Sequence, residues 1–400
     1  MTNLDGYVLR ELSGQPYLLP YGQNIATFRR GLKLNETGEL ICRALQEGKT
    51  KEELPAILAE HFEADQSELP ILKTDIEHFL AQLHALGITG QPSPRLYFPA
   101  DATHSFRIGT ITLQLNMEEE LISKEFFPFQ INAMESHSPF LPADAIPPAD
   151  LTVSVHFVQP VQRPVGKILV HNEELLIMET DSCYGLIFLT SPDISVCYMD
   201  KKAHTACFYC RRRNSETLRE ELFHGIRFAF LLAASRKGLY AIHSASILYK
   251  EKAWLFSAPS GTGKSTHAKL WQEQYDTPPL NGDLNLLGME DGKPVVYGLP
   301  WCGTSGIFTE KTYALGGVIF LQRDTSDHVR TLTPDARSLM LSQRLISPTW
   351  TREMLGSTLD FCEQLASLIT SFTLCCTAKP TAANVCRAAI DTALLDRTAR

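Results

Sequence analysis

The chain has 400 residues, 44% of them hydrophobic and 20% charged, a globular composition on a length too great for one ordinary core. Its net charge of −8 argues against a nucleic-acid-binding surface, and no run approaches the roughly 18–20 apolar residues that a membrane span requires. The first residues carry neither the basic nor the apolar segment of a secretory signal, so a cytoplasmic protein is expected.

Residues 7–11 and 16–20 read as short strands on either side of a turn at Ser13 and Gly14. A helix opens at 34–37, places Leu40, Ile41, Ala44 and Leu45 on one face, and stops at Gly48. Thr50, with Glu53 three residues on, forms a capping box for a second helix whose inner face is Leu54, Ile57, Leu58 and Phe62. A third helix over 72–86 turns Ile76, Phe79, Leu80 and Leu83 inward and ends at Gly87. The predicted first domain, 1–90, is therefore small, with two strands and three helices. Gln91, Pro92, Ser93 and Pro94 mark a linker at 91–95.

Alternating runs at 106–115, 151–158, 167–170, 175–178 and 183–189 predict an antiparallel sheet within 96–212, with a proline-rich loop at 141–148. Cys207 and Cys210 form a Cys-x-x-Cys pair, but a structural zinc site takes four ligands and strand alternation points the two sulfurs to opposite faces. The ten cysteines are expected to be reduced and mostly buried. The basic run Arg211, Arg212 and Arg213 reads as a solvated strand end, with reception of an acidic peptide as the lesser reading. A helix over 216–235, with Leu218, Leu222, Ile226 and Phe230 on its apolar face, leads to a strand at 247–249.

The apolar run Ala253, Trp254, Leu255, Phe256 feeds a glycine-rich turn containing Ser260, Gly261, Thr262 and Gly263, followed by Lys264, Ser265, Thr266 and a helical stretch. A strand, a glycine-rich turn and a helix start in this order build a phosphate-binding loop, because glycines let backbone N–H groups converge and the helix N-terminus favours an anion. Lys264 is then expected to reach the β- and γ-phosphates of ATP and the Ser265 hydroxyl to ligate Mg²⁺. Thr266 follows the metal-binding position and is assigned to capping the helix. The strict pattern has glycine where this chain has Ala258. Strands near Val295 and at 318–321, then a helical C-terminal region, complete 213–400. Weaker candidates are the turn from Trp301 to Gly306, and Arg323 and Arg344 as charge clamps.

Two resemblances cover most of the chain. On Leu34-Asn35-Glu36-Thr37-Gly38, the Gly48-Lys49-Thr50 turn and the ending Leu86-Gly87-Ile88, residues from about 5 to 90 resemble the PqqD family, also called the RiPP recognition element. That implies a winged-helix-like fold whose sheet edge accepts the leader of a precursor peptide as an added strand, with residues 16–28 as the expected peptide-facing edge. On His243-Ser244-Ala245-Ser246, the loop from Pro259 to Thr266, and Leu280-Asn281-Gly282-Asp283-Leu284-Asn285, residues from about 215 to 320 resemble the HPr kinase/phosphorylase-like kinases. These share a P-loop core with phosphoenolpyruvate carboxykinases. The resemblance implies that His243 lies beside the transferred phosphate and that Asp283 is the hydroxyl-activating base or the metal partner; the family has an Asp-Asp pair where this chain has Gly282 and Asp283.

The expected fold is thus an α/β and α+β multidomain chain, a winged-helix-like domain followed by a mixed-sheet P-loop kinase core over 96–400. The expected function is ATP- and Mg²⁺-dependent phosphorylation of a Ser or Thr hydroxyl in a precursor peptide held by its leader. Lys264, His243 and Asp283 carry the transfer, with Ser265 and Asp283 at the metal. No nucleic acid or membrane partner is expected, and a homo-oligomer is left open. The alternatives are a non-catalytic, nucleotide-sensing peptide escort and a nucleotide hydrolase or phosphorylase.

Overall fold

The computed structural model describes residues 4, 7–22, 25, 31–65, 68–85, 104–131, 149–157, 166–180, 182–211 and 217–398. The predicted linker at 91–95, the loop at 141–148, the helix ending at Leu86, Gly87 and Ile88, and Arg212 and Arg213 lie outside these residues. Among the described residues the chain is a mixed α/β protein with three sheets.

The first sheet joins β1 (Tyr7–Leu12), β2 (Gln15–Pro20) and β3 (Leu32–Lys33) in antiparallel order β1-β2-β3. Three helices pack on it, α1 (Glu36–Gln46), α2 (Leu54–His61) and α3 (Leu69–Ala85). Asn35 caps α1 by accepting the Gly38 N–H at 2.9 Å, and the chain leaves that helix through Gly48 at φ +84°, a left-handed position that glycine enters freely. The Glu53 carboxylate accepts the Thr50 N–H at 2.7 Å, half of the predicted capping box, yet α2 starts only at Leu54. Pro55 favours the first turn of a helix over its interior, which moves the start toward it. Phe62, expected inside, is 37% exposed because it follows the last turn of α2. The third helix starts at Leu69, three residues earlier than its apolar spacing shows. The sheet's outer strands are β1 and β3, and β2 is paired on both sides at Tyr17 and Leu18, so the part of the expected 16–28 peptide edge that lies in β2 is interior there; residues 23, 24 and 26–28 lie outside the described residues.

The second sheet contains β4 (His104–Ile108), β5 (Ile111–Asn116), β6 (Leu151–His156), β7 (Lys167–His171), β8 (Leu175–Glu179), β9 (Cys183–Phe188), β10 (Ile194–Asp200) and β11 (Thr205–Cys210), in the order β4-β5-β6-β11-β10-β9-β8-β7. It is mixed, not antiparallel as expected over 96–212, because β6 runs parallel to both β5 and β11. Alternation reports which face of a strand is buried but not the direction of its neighbour, and the long 117–150 connection permits a parallel return. Cys207 and Cys210 lie in β11, and burial pushes both thiols up, to about 11 and about 12. The helix α4 (Leu218–Arg236) packs under this sheet, with Gly225 against Phe208.

The third sheet contains β12 (Tyr240–Tyr249), β13 (Lys252–Ser257), β14 (Pro279–Asn281), β15 (Leu284–Glu290), β16 (Lys293–Tyr297), β17 (Thr312–Arg323), β18 (His328–Thr331) and β19 (Thr370–Cys376), with helices α5 (Lys264–Tyr275), α6 (Pro334–Ser342), α7 (Arg352–Leu368) and α8 (Pro380–Thr398). Strands β13, β17 and β19 are parallel neighbours. Leu255, Val318 and Phe320 pack with α7 on one face, while Trp254, Phe256, Ile319 and Leu321 join the core that holds Trp271 and Cys386 of α5 and α8 on the other. Burial on both faces explains why β13 and the middle of β17 read as unbroken apolar runs. A further core spans the second and third sheets through α4, from Phe106 and Leu186 to Ala241, Leu286 and Trp301.

Candidate functional site

The carboxyl ends of the parallel strands β13, β17 and β19 lie together, the end of an α/β sheet at which ligand crevices form. The glycine-rich loop leaves β13 there. Gly261 and Gly263 adopt φ +73° and +117°, which side chains disfavour, whereas Ala258 is not in a left-handed conformation and its methyl is buried among Phe256, Leu270 and Ile319. Alanine therefore fits where the strict motif has glycine. Gly263 is the N-cap of α5, and no side chain caps that helix, so the amides of its first turn remain for an anion.

Lys264 begins α5, is buried, and its Nζ donates to the Ala258 carbonyl at 3.2 Å. Burial lowers its ammonium below the ordinary value; the nearby Asp283 carboxylate opposes that shift and the Arg344 cation adds to it. Ser260 and Ser265 are exposed, and the Thr262 N–H donates to the Pro259 carbonyl. Thr266 is exposed inside the first turn and does not cap α5, contrary to expectation. Arg323, at the end of β17, donates from its guanidinium to the Gly261 carbonyl. A cleft of about 420 Å³ lies beside the loop, bounded by Gly261, Thr266, Arg323 and Thr377.

Opposite the loop, β12 presents His243 and the β14–β15 connection presents Asp283. His243 Nε2 lies 3.0 Å from Asp283 Oδ1, with the two side chains 33% and 35% exposed. A carboxylate only accepts, so the Nε2–H points at Asp283. This hydrogen bond, outweighing burial and aided by the charges of His243, Arg227 and Lys264, holds the Asp283 carboxyl below its ordinary range.

The two motif segments interlock beneath the pair through buried polar groups. The Ser246 hydroxyl donates to Asn285 Oδ1 at 2.7 Å, and the Asn285 amide donates to the Ser244 carbonyl at 2.7 Å. Asn281 Oδ1 accepts the Asp283 and Leu284 N–H groups at 3.0 and 3.1 Å, and the Ser244 N–H donates to the Asp283 carbonyl at 2.9 Å. Each of these amides and hydroxyls is satisfied, and all but the half-buried Asp283 amide are buried, which fixes the backbone that carries the pair.

Gly282 faces the turn at Gly303–Ser305, and a Cβ at 282 would lie 2.1 Å from Ser305 Oγ. The Ser305 hydroxyl donates to the Cys302 carbonyl at 2.7 Å, and its side chain occupies the space that a Cβ at 282 would take. Gly303 packs against Asp283, where its own Cβ would come within 2.9 Å. Trp301 is buried with its indole N–H on the Phe223 carbonyl at 2.9 Å, and Thr304 and Ser305 are the turn's exposed polar side chains.

Arg227 was not singled out by the sequence. It projects from α4, and burial lowers its guanidinium while Asp283 opposes the shift. An arginine on the polar side of an otherwise apolar helix gives no signal of its destination. Arg344, placed in a helix-like stretch by its sequence, follows α6 in a turn whose carbonyl accepts the His243 N–H at 3.1 Å.

Among the described residues, no helix is long and apolar enough to cross a membrane. No curated protein matches the chain. Residues 26–88 match the family described as Coenzyme PQQ synthesis protein D (PqqD), so that β3 and α1 to α3 fall within the match while β1 and β2 precede it. That segment is a PqqD domain, the RiPP recognition element, and it ties the chain to biosynthesis by peptide modification.

Proposed function

We propose that this chain is a cytoplasmic ATP-dependent kinase of the HPr kinase-like type, which phosphorylates a Ser or Thr hydroxyl of a ribosomally made precursor peptide. Recognition is assigned to residues 1–90 and transfer to 96–400. The observation that carries this reading is the hydrogen-bonded His243–Asp283 pair within the electrostatic reach of Lys264 at the start of an uncapped helix. ATP with Mg²⁺ supplies the phosphoryl group and offsets its negative charge.

Lys264 and the first-turn amides of α5 bind the phosphates, and the Ser265 hydroxyl and the Asp283 carboxylate are the groups suited to the metal. Because Nε2–H is committed to Asp283, His243 acts as an orienting group and leaves proton acceptance to the carboxylate. A carboxylate held below its ordinary pKa is a weak base, which suits phosphoryl transfer, where the hydroxyl proton leaves late and positioning dominates. The second reading, a non-catalytic escort that senses nucleotide, draws on Gly282, which lacks the family's carboxylate and where the Ser305 side chain stands in the space of a Cβ.

The test is intact-mass analysis of short candidate precursor peptides, synthesised from small open reading frames sought next to this chain's gene, incubated with the protein, ATP and Mg²⁺. A gain of one phosphate that is lost in Lys264→Ala is the expected result. Unchanged mass with retained nucleotide binding selects the escort, and phosphate release without peptide selects a hydrolase.

A further inference from the structure

A cleft of about 710 Å³ separates the first sheet from the C-terminal helices, with Tyr17, Leu19 and Gly31 on one wall and Leu339, Arg344 and Leu355 on the other. Its width is set by contacts on both sides of it. The Tyr17 hydroxyl donates to Asp335 at 2.9 Å, Arg10 is paired with Asp360, and the Gly22 N–H donates to the Thr349 carbonyl at 2.9 Å. Val8, Leu12 and Leu19 form one apolar cluster with Leu355 and Leu359.

The inner end of the cleft is defined by β12. Along one edge of that strand Ser244 pairs with Ser257, the last residue before the glycine-rich loop. One residue earlier the partner changes, and the His243 N–H donates to the Arg344 carbonyl. Leu345 bridges Ile242, and the Ile346 N–H donates to the Ala241 carbonyl at 2.9 Å. The 344–346 segment thus continues the sheet where β13 turns away into the loop. The cleft wall at Arg344 and the mouth of the loop are adjacent, and the Arg344 charge is felt at Lys264.

We propose that this cleft holds the stretch of precursor peptide between the leader and the acceptor residue, extended, and delivers the acceptor hydroxyl past Arg344 to Asp283. The proposal rests on the kinase reading above for what happens at the inner end, and on the PqqD domain for the occupant. The outer strand β3 follows directly on Gly31, which lines the cleft, so a leader added beside β3 ends next to the cleft. Apolar walls ending at a cation select a segment with apolar side chains and no Lys or Arg next to the acceptor.

The test measures binding by fluorescence anisotropy on the full-length protein without nucleotide. The probes are two synthetic forms of a candidate precursor peptide that binds the protein, the leader alone and the leader with its downstream segment. The longer peptide is expected to bind at least about tenfold tighter, roughly 1.4 kcal/mol. Gln343→Trp, which fills the cleft from an exposed position, is expected to remove that gain and leave leader affinity unchanged. A photo-crosslinking residue at Ser342 is expected to label the downstream segment. Equal affinity of the two peptides for wild type, loss of leader binding in Gln343→Trp, or labelling at 342 confined to the leader each overturns the cleft assignment. Because none of these readouts needs transfer, a result in which the cleft discriminates but no peptide gains phosphate rejects the kinase reading alone.

Discussion

Asp283 carries the heaviest assignment of any residue here, and its surroundings make that assignment testable. Replacing it with Asn keeps the shape and the contact with His243 but removes the charge, so Asp283→Asn is expected to lower peptide phosphorylation by at least about 10²-fold while nucleotide affinity, by equilibrium dialysis, stays within a few fold. Full transfer in that variant would remove Asp283 from the mechanism. Its carboxyl is held below the ordinary 3.8, chiefly by the His243 hydrogen bond. A group with a depressed folded pKa contributes stability that is complete above its unfolded pKa and is lost as pH falls through the folded value. The stability difference between wild type and Asp283→Asn is therefore expected to shift against wild type from about pH 4 downward, and a pH-independent difference in urea unfolding rules this out. Next to it, Gly282→Asp places a side chain into Ser305 and is expected to cost about 1–3 kcal/mol. The double variant with Ser305→Gly should recover most of that loss; equal instability of the two would show that the space at 282 is closed by something other than Ser305.

At the level of elements, local chemistry decided some boundaries and long-range partners decided others. The helix start at 34–37 and the Gly48 exit were legible because each acts within four residues; within that start Asn35 is the cap, and Asn35→Ala is expected to cost about 1 kcal/mol in thermal or urea unfolding, against no change if the Gly38 N–H finds water equally well. The parallel strands β13 and β17 were legible as buried runs. By contrast β19 was read as part of a helical region: its Ser371 and Thr373 break the apolar run, and pairing with β17 on one side and β18 on the other makes it a strand. Strand β10 was missed and the order of the second sheet could not be seen, since β6 and β11 are joined by register across some fifty residues. The motif residues at 243–246 and 280–285 were quoted from the sequence, yet the polar lattice that binds Ser244, Ser246, Asn281 and Asn285 together needs the two strands side by side. The Arg227 charge is felt at Asp283 from a helix some fifty residues upstream, a distance that no spacing rule bridges.

Across the whole molecule, the first sheet is seated on α6 and α7 by a small apolar cluster ringed with ion pairs. Surface pairs contribute little each, so the cluster should carry the docking. Leu359, fully buried within it, is the residue to remove. Leu359→Asp is expected to strip hydrogen-exchange protection from the amides of β1 and β2 while β13 and β17 keep theirs. Uniform loss across the chain would mean that the parts unfold as one.

The fit at Gly22 has a consequence for anyone exchanging specificities between proteins of this kind. A Cβ there would come within 2.8 Å of the Leu169 carbonyl oxygen and 3.0 Å of that of Trp350, and its φ of +60° excludes most side chains as well. The recognition module is consequently not a free bead on a string. A foreign module grafted at residue 31 would inherit this seat intact, whereas one grafted further upstream would have to bring its own glycine, its own partner for Asp335 and its own apolar knobs for Leu355 and Leu359. Transplants should be cut accordingly.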